Sequence, residues 1–224
     1  MSGAMLRYVA LVGGARVSAA FDVDAAVANF RHALGSIEED EIVDRFLVSG
    51  EPAFVSLAGR AAIASGLARA FGVAAGNIAI YVSGSAKLGF SLVEIRKQGV
   101  IVKERYRPFG PDSDIDVAVV SLPIFEALWL EISNHAHRST KFLPWDAGKL
   151  SGYLLNGWWR PDHFPKSPLL RRCRVWWECF DALSIRSEFG GRKVRGGLFY
   201  STDHLRQYLA RSVRECMAAE ANSR

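Results

Sequence analysis

The sequence predicts an α/β fold of the α+β kind, in which a small mixed sheet is flanked by helices. Two short strands, one at residues 78–82 and one within the run at residues 112–121, carry this prediction, because the first is apolar and the second is rich in valine. Segments with helical spacing of apolar residues precede and follow each strand. The order strand, helix, strand, helix is typical of a small α/β core.

Three helices are predicted before the first strand, from apolar residues that recur every three or four positions. Asp22 or Asp24 can cap the first helix, and Gly72 is placed to end the third. The third helix is rich in alanine and is expected to lie behind the first strand. The three segments are residues 24–34, 41–48 and 56–71.

The first strand ends at Ser83-Gly84-Ser85 and leads into a short helix. Glycine lets a phosphate approach the backbone, serine offers a hydroxyl and an amide, and the start of a helix favours an anion. A lysine two residues later would add a mobile positive charge. Gly and Ser are also common in ordinary turns, so this segment alone leaves a structural role open. The candidate nucleotide-binding residues are Ser83, Gly84, Ser85, Lys87 and Ser91.

The run DSDIDVAVVS at residues 112–121 supplies a candidate metal site. Side chains alternate along a strand, so Asp114 and Asp116 are expected to point the same way, about 6 to 7 Å apart. Mg²⁺ prefers oxygen ligands and is often held by one or two carboxylates together with substrate phosphates. An acidic turn before a buried strand is the plainer interpretation of the same pattern.

Between the two motifs lies a basic segment that predicts a hairpin. Its strands are expected at residues 92–95 and 100–105, around the turn Gln98-Gly99. Residues 92–110 contain five lysines or arginines and two glutamates. The hairpin is expected either to lie beside the phosphate site or to be an ordinary solvated surface.

After the second strand, the sequence predicts a helix at residues 122–132, a long segment rich in glycine, proline and tryptophan, and a final strand and helix. His135 and His137 are interpreted as part of a polar loop. The tryptophans could stack on bases, but packing against the core is the favoured interpretation. The last strand and helix are expected at residues 193–201 and 203–217, with Tyr208 on the inner side of the helix.

The glycine-serine turn and the D-x-D strand together resemble the polymerase-β-like nucleotidyltransferase superfamily. The strings GSAKLGFS and DSDIDVAVVS are similar to those of short bacterial nucleotidyltransferase-like proteins, some of which act in antiphage defence or toxin systems. The resemblance covers residues 78–121. It implies that Gly84 and Ser85 hold a nucleoside triphosphate such as ATP, and that Asp114 and Asp116 hold Mg²⁺ and are catalytic.

The chain departs from this family where a third carboxylate is expected. Active members generally carry that acid on a later strand, but the strand at 193–201 contains none, and Arg195 stands in the corresponding place. Substitutes exist nearby in sequence: Glu178, Asp181, Glu188 and Asp203. Two hypotheses therefore stay open, a Mg²⁺-dependent nucleotidyltransferase acting on a hydroxyl acceptor, and a catalytically degenerate nucleotide- or RNA-binding subunit that acts with an RNA or protein partner.

Composition narrows the class of protein. Half of the 224 residues are apolar and 23% are charged, which predicts one elaborated globular domain. The order of the predicted elements divides this domain into a helical part at 22–72, the core motifs at 78–132 and a basic, aromatic part at 133–224. The last 74 residues carry 13 lysines or arginines against 7 acids, so they hold all of the net charge of +5. A basic face of this kind attracts nucleic acid or simply aids solubility.

The sequence also predicts the compartment. No apolar run reaches the roughly 20 residues of a membrane span, and the apolar segment at residues 8–12 is too short for a signal peptide. The three cysteines show no paired motif, so they are expected to be free thiols in a reducing compartment. A cytoplasmic protein without a membrane partner is the expectation.

Overall fold

A computed structural model of the chain describes residues 21–138, 147–164 and 166–222. The N-terminal apolar segment at 8–12 and Trp145 lie outside these residues. In chain order the elements are α1 (Val23–Leu34), α2 (Glu39–Ile42), α3 (Leu57–Phe71), β1 (Ala79–Ser83), α4 (Gly84–Leu88), β2 (Ile95–Lys97), β3 (Val100–Lys103), β4 (Ile115–Val120), α5 (Leu122–Arg138), α6 (Ala147–Leu155), β5 (Trp158–Trp159), α7 (Arg171–Ser184), β6 (Val194–Phe199) and α8 (Thr202–Ala221).

A small mixed sheet has the strand order β1-β4-β6-β5. Strand β4 is antiparallel to β1 and parallel to β6, and β5 is antiparallel to β6. The predicted α/β class, a small mixed sheet flanked by helices, is confirmed. Because β4 lies between β1 and β6, any side chain at the start of β4 has neighbours from two other strands.

Each face of the sheet packs against its own layer of helices. On one face, α3, α5 and α7 bury the odd-numbered apolar residues of β4 together with Val194 and Leu198 of β6. On the other face, α1, α2 and α8 pack against Ala118 and Phe199. Since side chains alternate along each strand, the second face is also the one that carries Asp116 and Arg195.

The predicted helices before the sheet are present. The side chain of Asp22 accepts a hydrogen bond from the Ala25 amide and so caps α1. Ser56 caps α3 in the same way, and Gly72 ends it with a left-handed backbone, at φ +67°. The second helix differs from its prediction, because α2 is only four residues long and continues as a π-helical segment, Val43–Val48.

The basic hairpin forms a separate two-stranded sheet, β2 with β3. Its turn is the predicted one, with positive φ at Gln98 and Gly99. All four residues of β3 are exposed. The second predicted strand, 100–105, was too long, since the ladder ends at Lys103, and the first, predicted at 92–95, lies instead at Ile95–Lys97.

Two predictions about helices were wrong. Helix α5 runs on to Arg138, so His135 and His137 lie on its last turn rather than in a loop. Residues 133–138 contain no glycine or proline that would end it, and basic residues are favourable at a helix C-terminus. On α8 the buried stripe contains Leu205, Leu209, Val213 and Cys216, whereas Tyr208 is 44% exposed.

Candidate functional site

The glycine-serine turn and the D-x-D motif meet at one edge of the sheet. Ser83, the last residue of β1, is the direct partner of Asp116 on β4. Gly84 follows with a φ of +60°, and a Cβ atom placed on it would lie 3.5 Å from Oδ2 of Asp116. The two motifs are therefore neighbours in space although 32 positions separate Gly84 from Asp116 in the sequence.

Arg192 holds the loop that leads into the D-x-D motif. Its Nη1 donates hydrogen bonds to the carbonyl oxygens of Gly110, Pro111 and Ser113, at 2.6, 2.8 and 3.2 Å. Its guanidinium also lies 4.6 Å from the centre of the Phe109 ring. No motif in the sequence indicated this role. The contacts fix the backbone immediately before Asp114.

Arg195 stands in the position where the resemblance leads one to expect an acid. It is the register partner of Asp116 across the parallel pair β4 and β6. Its Nε lies 2.8 Å from Oδ2 of Asp114, with about half of the arginine side chain exposed. The guanidinium thus supplies Asp114 with a positive partner, which a bound cation would otherwise do.

Asp116 is left with an unbalanced charge. No hydrogen bond or ion pair within the described part of the chain reaches its carboxylate. Although the side chain touches solvent, the surrounding protein removes part of its hydration, and this raises its pKa to about 6. The negative charge of Asp114 acts in the same direction, and Arg195 opposes both. The site therefore holds one carboxylate that would be stabilised by a cation.

The raised pKa of Asp116 has a consequence for stability that can be measured. Its ordinary value is 3.8, so ionised Asp116 destabilises the fold fully above about pH 6, and this cost disappears below about pH 4. Without divalent cations, Asp116→Asn should therefore raise stability near pH 7.5 by on the order of 1 kcal/mol, reduced for exposure. Calorimetry in EDTA should show a melting temperature about 2 to 4 °C higher.

The pH series provides the check on this prediction. The gain from Asp116→Asn should shrink as the pH falls from about 6 to 4. Asp181→Asn, a change of the same kind on the exposed side of α7, is the control. A gain of equal size at pH 4 and pH 7.5 would contradict the prediction.

The residues present fit a Mg²⁺ ion with few protein ligands. Asp114 and Asp116 would hold it, since Mg²⁺ commonly uses one or two carboxylates and completes its coordination with phosphates and water. In the described residues no cluster of three His, Cys, Asp or Glu side chains is found that could form a larger site.

The four acids that could replace the missing third carboxylate either pair with arginines or are exposed to solvent. Glu178 is within 3.6 Å of Arg174 on the same helix, and Glu188 pairs with Arg186. Asp203 lies 3.6 Å from Arg206. Asp181 is exposed on α7. Helix α7 packs against the face of the sheet opposite Asp116, because a Cβ atom on Gly196 would collide with the Phe180 ring.

The side chains of Lys87 and Ser91 form hydrogen bonds with backbone groups outside the Ser83-Gly84-Ser85 turn. The Nζ of Lys87 donates to the carbonyl oxygens of Ser49 and Gly50, at 2.5 and 2.7 Å, and the side chain is only 6% exposed. Burial lowers its pKa, and nearby Arg60 adds to this effect. The Ser91 hydroxyl accepts a hydrogen bond from the Val93 amide. The candidate nucleotide-binding residues are therefore Ser83, Gly84 and Ser85, without Lys87 and Ser91.

A substitution at Lys87 tests this placement. Lys87→Met keeps the apolar stem but leaves two carbonyl groups without a donor, so it should lower stability by about 1 to 3 kcal/mol while nucleotide affinity stays unchanged. Thermal melting and calorimetric titration with ATP and Mg²⁺ measure the two effects. Lys97→Met on the exposed hairpin is the control. A stable Lys87→Met protein that no longer binds ATP would restore Lys87 to the phosphate site.

The positive charge of the C-terminal part is largely paired. Arginines there contact acids on neighbouring elements or nearby on their own, which leaves less free charge than the count suggests. Trp159 is buried, and Trp158 stacks on Phe199, so both take part in packing. Besides the pairs of Arg174, Arg186 and Arg195 given above, the ion pairs are Arg160 with Asp162, Arg206 with Asp44, Arg211 with Glu215 and Arg214 with Glu39.

Comparison with profiles of known protein families, with curated proteins and with solved structures found no match. Among the described helices, none is both long and apolar enough to cross a membrane. The assignment of a function therefore rests on the geometry of this site.

Proposed function

We propose that this chain is a Mg²⁺-dependent nucleotidyltransferase, which moves a nucleoside monophosphate from a nucleoside triphosphate such as ATP to a hydroxyl acceptor. One observation carries the proposal: the Gly84 turn and the Asp114–Asp116 pair lie side by side at one edge of the sheet, with Ser83 opposite Asp116. A turn open to phosphate beside two carboxylates is the arrangement this chemistry requires.

In this reaction the acceptor hydroxyl gives its proton to solvent and its oxygen bonds to the α-phosphorus. The bond between the α-phosphorus and the oxygen that bridges to the β-phosphate breaks, and pyrophosphate leaves. The exposed backbone of Gly84 lets phosphate oxygens approach its amide and that of Ser85. Asp114 and Asp116 would hold Mg²⁺, which when bound neutralises charge on the phosphates. Arg195, once released from Asp114, is free to pair with a phosphate oxygen. Most of the rate enhancement would come from positioning and charge neutralisation.

A second candidate is a degenerate nucleotide-binding subunit, and the Arg195 contact favours it. A guanidinium 2.8 Å from Asp114, in the place where the resemblance implies a third carboxylate, balances the charge of Asp114 without a metal. Such a site would bind a nucleotide without turning it over and would act through an RNA or protein partner.

Label transfer from an α-labelled nucleoside triphosphate separates the two candidates. The purified protein is incubated with Mg²⁺, each of the four triphosphates in turn, and total RNA or cell protein as acceptor, and pyrophosphate release is followed in parallel. Transfer supports the first candidate. Binding of a non-hydrolysable ATP analogue without transfer supports the second, and absence of both rejects the two together.

We also propose a cytoplasmic location and a role in antiphage defence or a toxin system. The first rests on the free state of Cys173, Cys179 and Cys216. The second rests only on the resemblance of the two motifs.

A further inference from the structure

A part of the sheet beside Arg195 is uncovered. Arg195, Gly197 and Phe199 lie on the same face of β6, the face that also carries Asp116. A Cβ atom on Gly197 would meet only the Phe199 ring within 4 Å, at 3.3 Å. We call the surface formed by Asp116, Arg195 and Gly197 the Gly197 strip, and the buried ring of Phe199 closes its far end. It runs from the carboxylates toward the far end of β6.

Tyr208 stands at the far end of the Gly197 strip. Its ring packs against Trp158 and Phe199, with ring centres 4.9 and 5.4 Å apart, and 44% of the residue remains exposed. Phe199 lies on the same face of the sheet as Arg195 and Asp116, so Tyr208, which packs on Phe199, is on the Asp116 side of the sheet. Tyr208 and Asp116 therefore lie at opposite ends of the Gly197 strip.

We propose that a nucleobase stacks on the exposed side of Tyr208 above Gly197, while the phosphates of the same nucleotide lie at Gly84 and Asp116. This inference rests on the proposed function, because it assumes a nucleotide at the phosphate turn. The five residues of β6 from Arg195 to Phe199 span about 13 Å, which suits a nucleotide laid along the strand. An aromatic ring already held by two others loses little freedom when a base stacks on it.

Titration with two probes tests the base and the phosphates separately. The probes are α,β-methylene ATP and inorganic tripolyphosphate, each with Mg²⁺, measured by calorimetry on the full chain. Stacking of one base should make the nucleotide bind between about fivefold and a hundredfold more tightly than tripolyphosphate. Tyr208→Ala should remove this difference and leave tripolyphosphate binding unchanged, whereas Tyr208→Phe should keep it.

Two further variants make the result decisive. Gly197→Val fills the strip and should weaken nucleotide binding but not tripolyphosphate binding, even if Tyr208→Ala fails to fold. Tyr200→Ala is the matched control, because Tyr200 is 42% exposed but packs on Phe125, which lies on the other face of the sheet. Equal binding of the two probes by the wild type, or unchanged nucleotide affinity in both Tyr208→Ala and Gly197→Val, would overturn the inference. The proposed function fails separately, when neither probe binds and no label is transferred.

Discussion

Replacing Asp114 and Asp116 together with asparagine is expected to lower nucleotide transfer by at least about a hundredfold. Asparagine keeps the size and the hydrogen-bonding oxygen of aspartate but removes both negative charges, so the proposed Mg²⁺ ion would lose both of its anionic protein ligands. The loss of one preorganised electrostatic contact typically costs about 100- to 1,000-fold in rate. The initial rate of pyrophosphate release at saturating ATP and Mg²⁺ measures the effect.

The single variant Asp116→Asn separates a loss of activity from a loss of folding. Asp116→Asn should be folded and more stable than the wild type near neutral pH, so its loss of activity cannot be explained by unfolding. Asp112→Asn is the matched control, since Asp112 is exposed on the same loop two residues before Asp114. Transfer that persists in the double variant would exclude the two aspartates from catalysis.

The placement of the two motifs could be predicted from local sequence because each depends on its own strand. β-Branched residues determine β4, and Gly84 permits the positive φ that turns the chain after β1. The alternation of side chains then puts Asp116 on the face opposite the buried valines Val117 and Val119. What local sequence does not contain is the register, in which Ser83 rather than a neighbour faces Asp116.

The partners of charged side chains could not be predicted from the sequence, because these partners belong to elements that are distant along the chain. The position of Lys87 after the turn predicted a phosphate ligand, but its ammonium group binds the carbonyl oxygens of Ser49 and Gly50, which lie 38 and 37 positions away in the sequence. Likewise, the Glu131 carboxylate of α5 accepts hydrogen bonds from the amides of Arg172 and Cys173 and so caps α7. Such contacts depend on tertiary packing, for which no local pattern exists.

The sequence predicted the position of Arg195 but not its ion pair. The sequence indicated that no acid follows on the last strand, and the register places Arg195 beside Asp116 as expected for the missing residue. The ion pair with Asp114 was not predicted. Because the guanidinium is positively charged and already pairs with Asp114, it would compete with a metal for this carboxylate instead of binding the metal.

Substituting Arg195 with aspartate is therefore expected to create a stronger cation site. The change removes the partner of Asp114 and puts a third carboxylate in register with Asp116, so affinity for Mn²⁺ in the absence of nucleotide should rise by about tenfold or more. Without cations, three close carboxylates repel each other, and the melting temperature should fall below that of the wild type. Added Mg²⁺ or Mn²⁺ should restore it through binding to the folded state.

Two variants separate the causes of this effect. Arg195→Met removes the positive charge without adding an acid, so a rise in Mn²⁺ affinity seen only in Arg195→Asp requires the third carboxylate itself. Lys97→Asp makes the same change of charge on the separate hairpin and should leave Mn²⁺ affinity unaltered. If Arg195→Asp gains transfer that the wild type lacks, the wild-type chain is the degenerate binding subunit. If the wild type transfers nucleotide and Arg195→Asp loses this activity, the guanidinium belongs to the catalytic site, where pairing with a phosphate is the role that its exposed position allows.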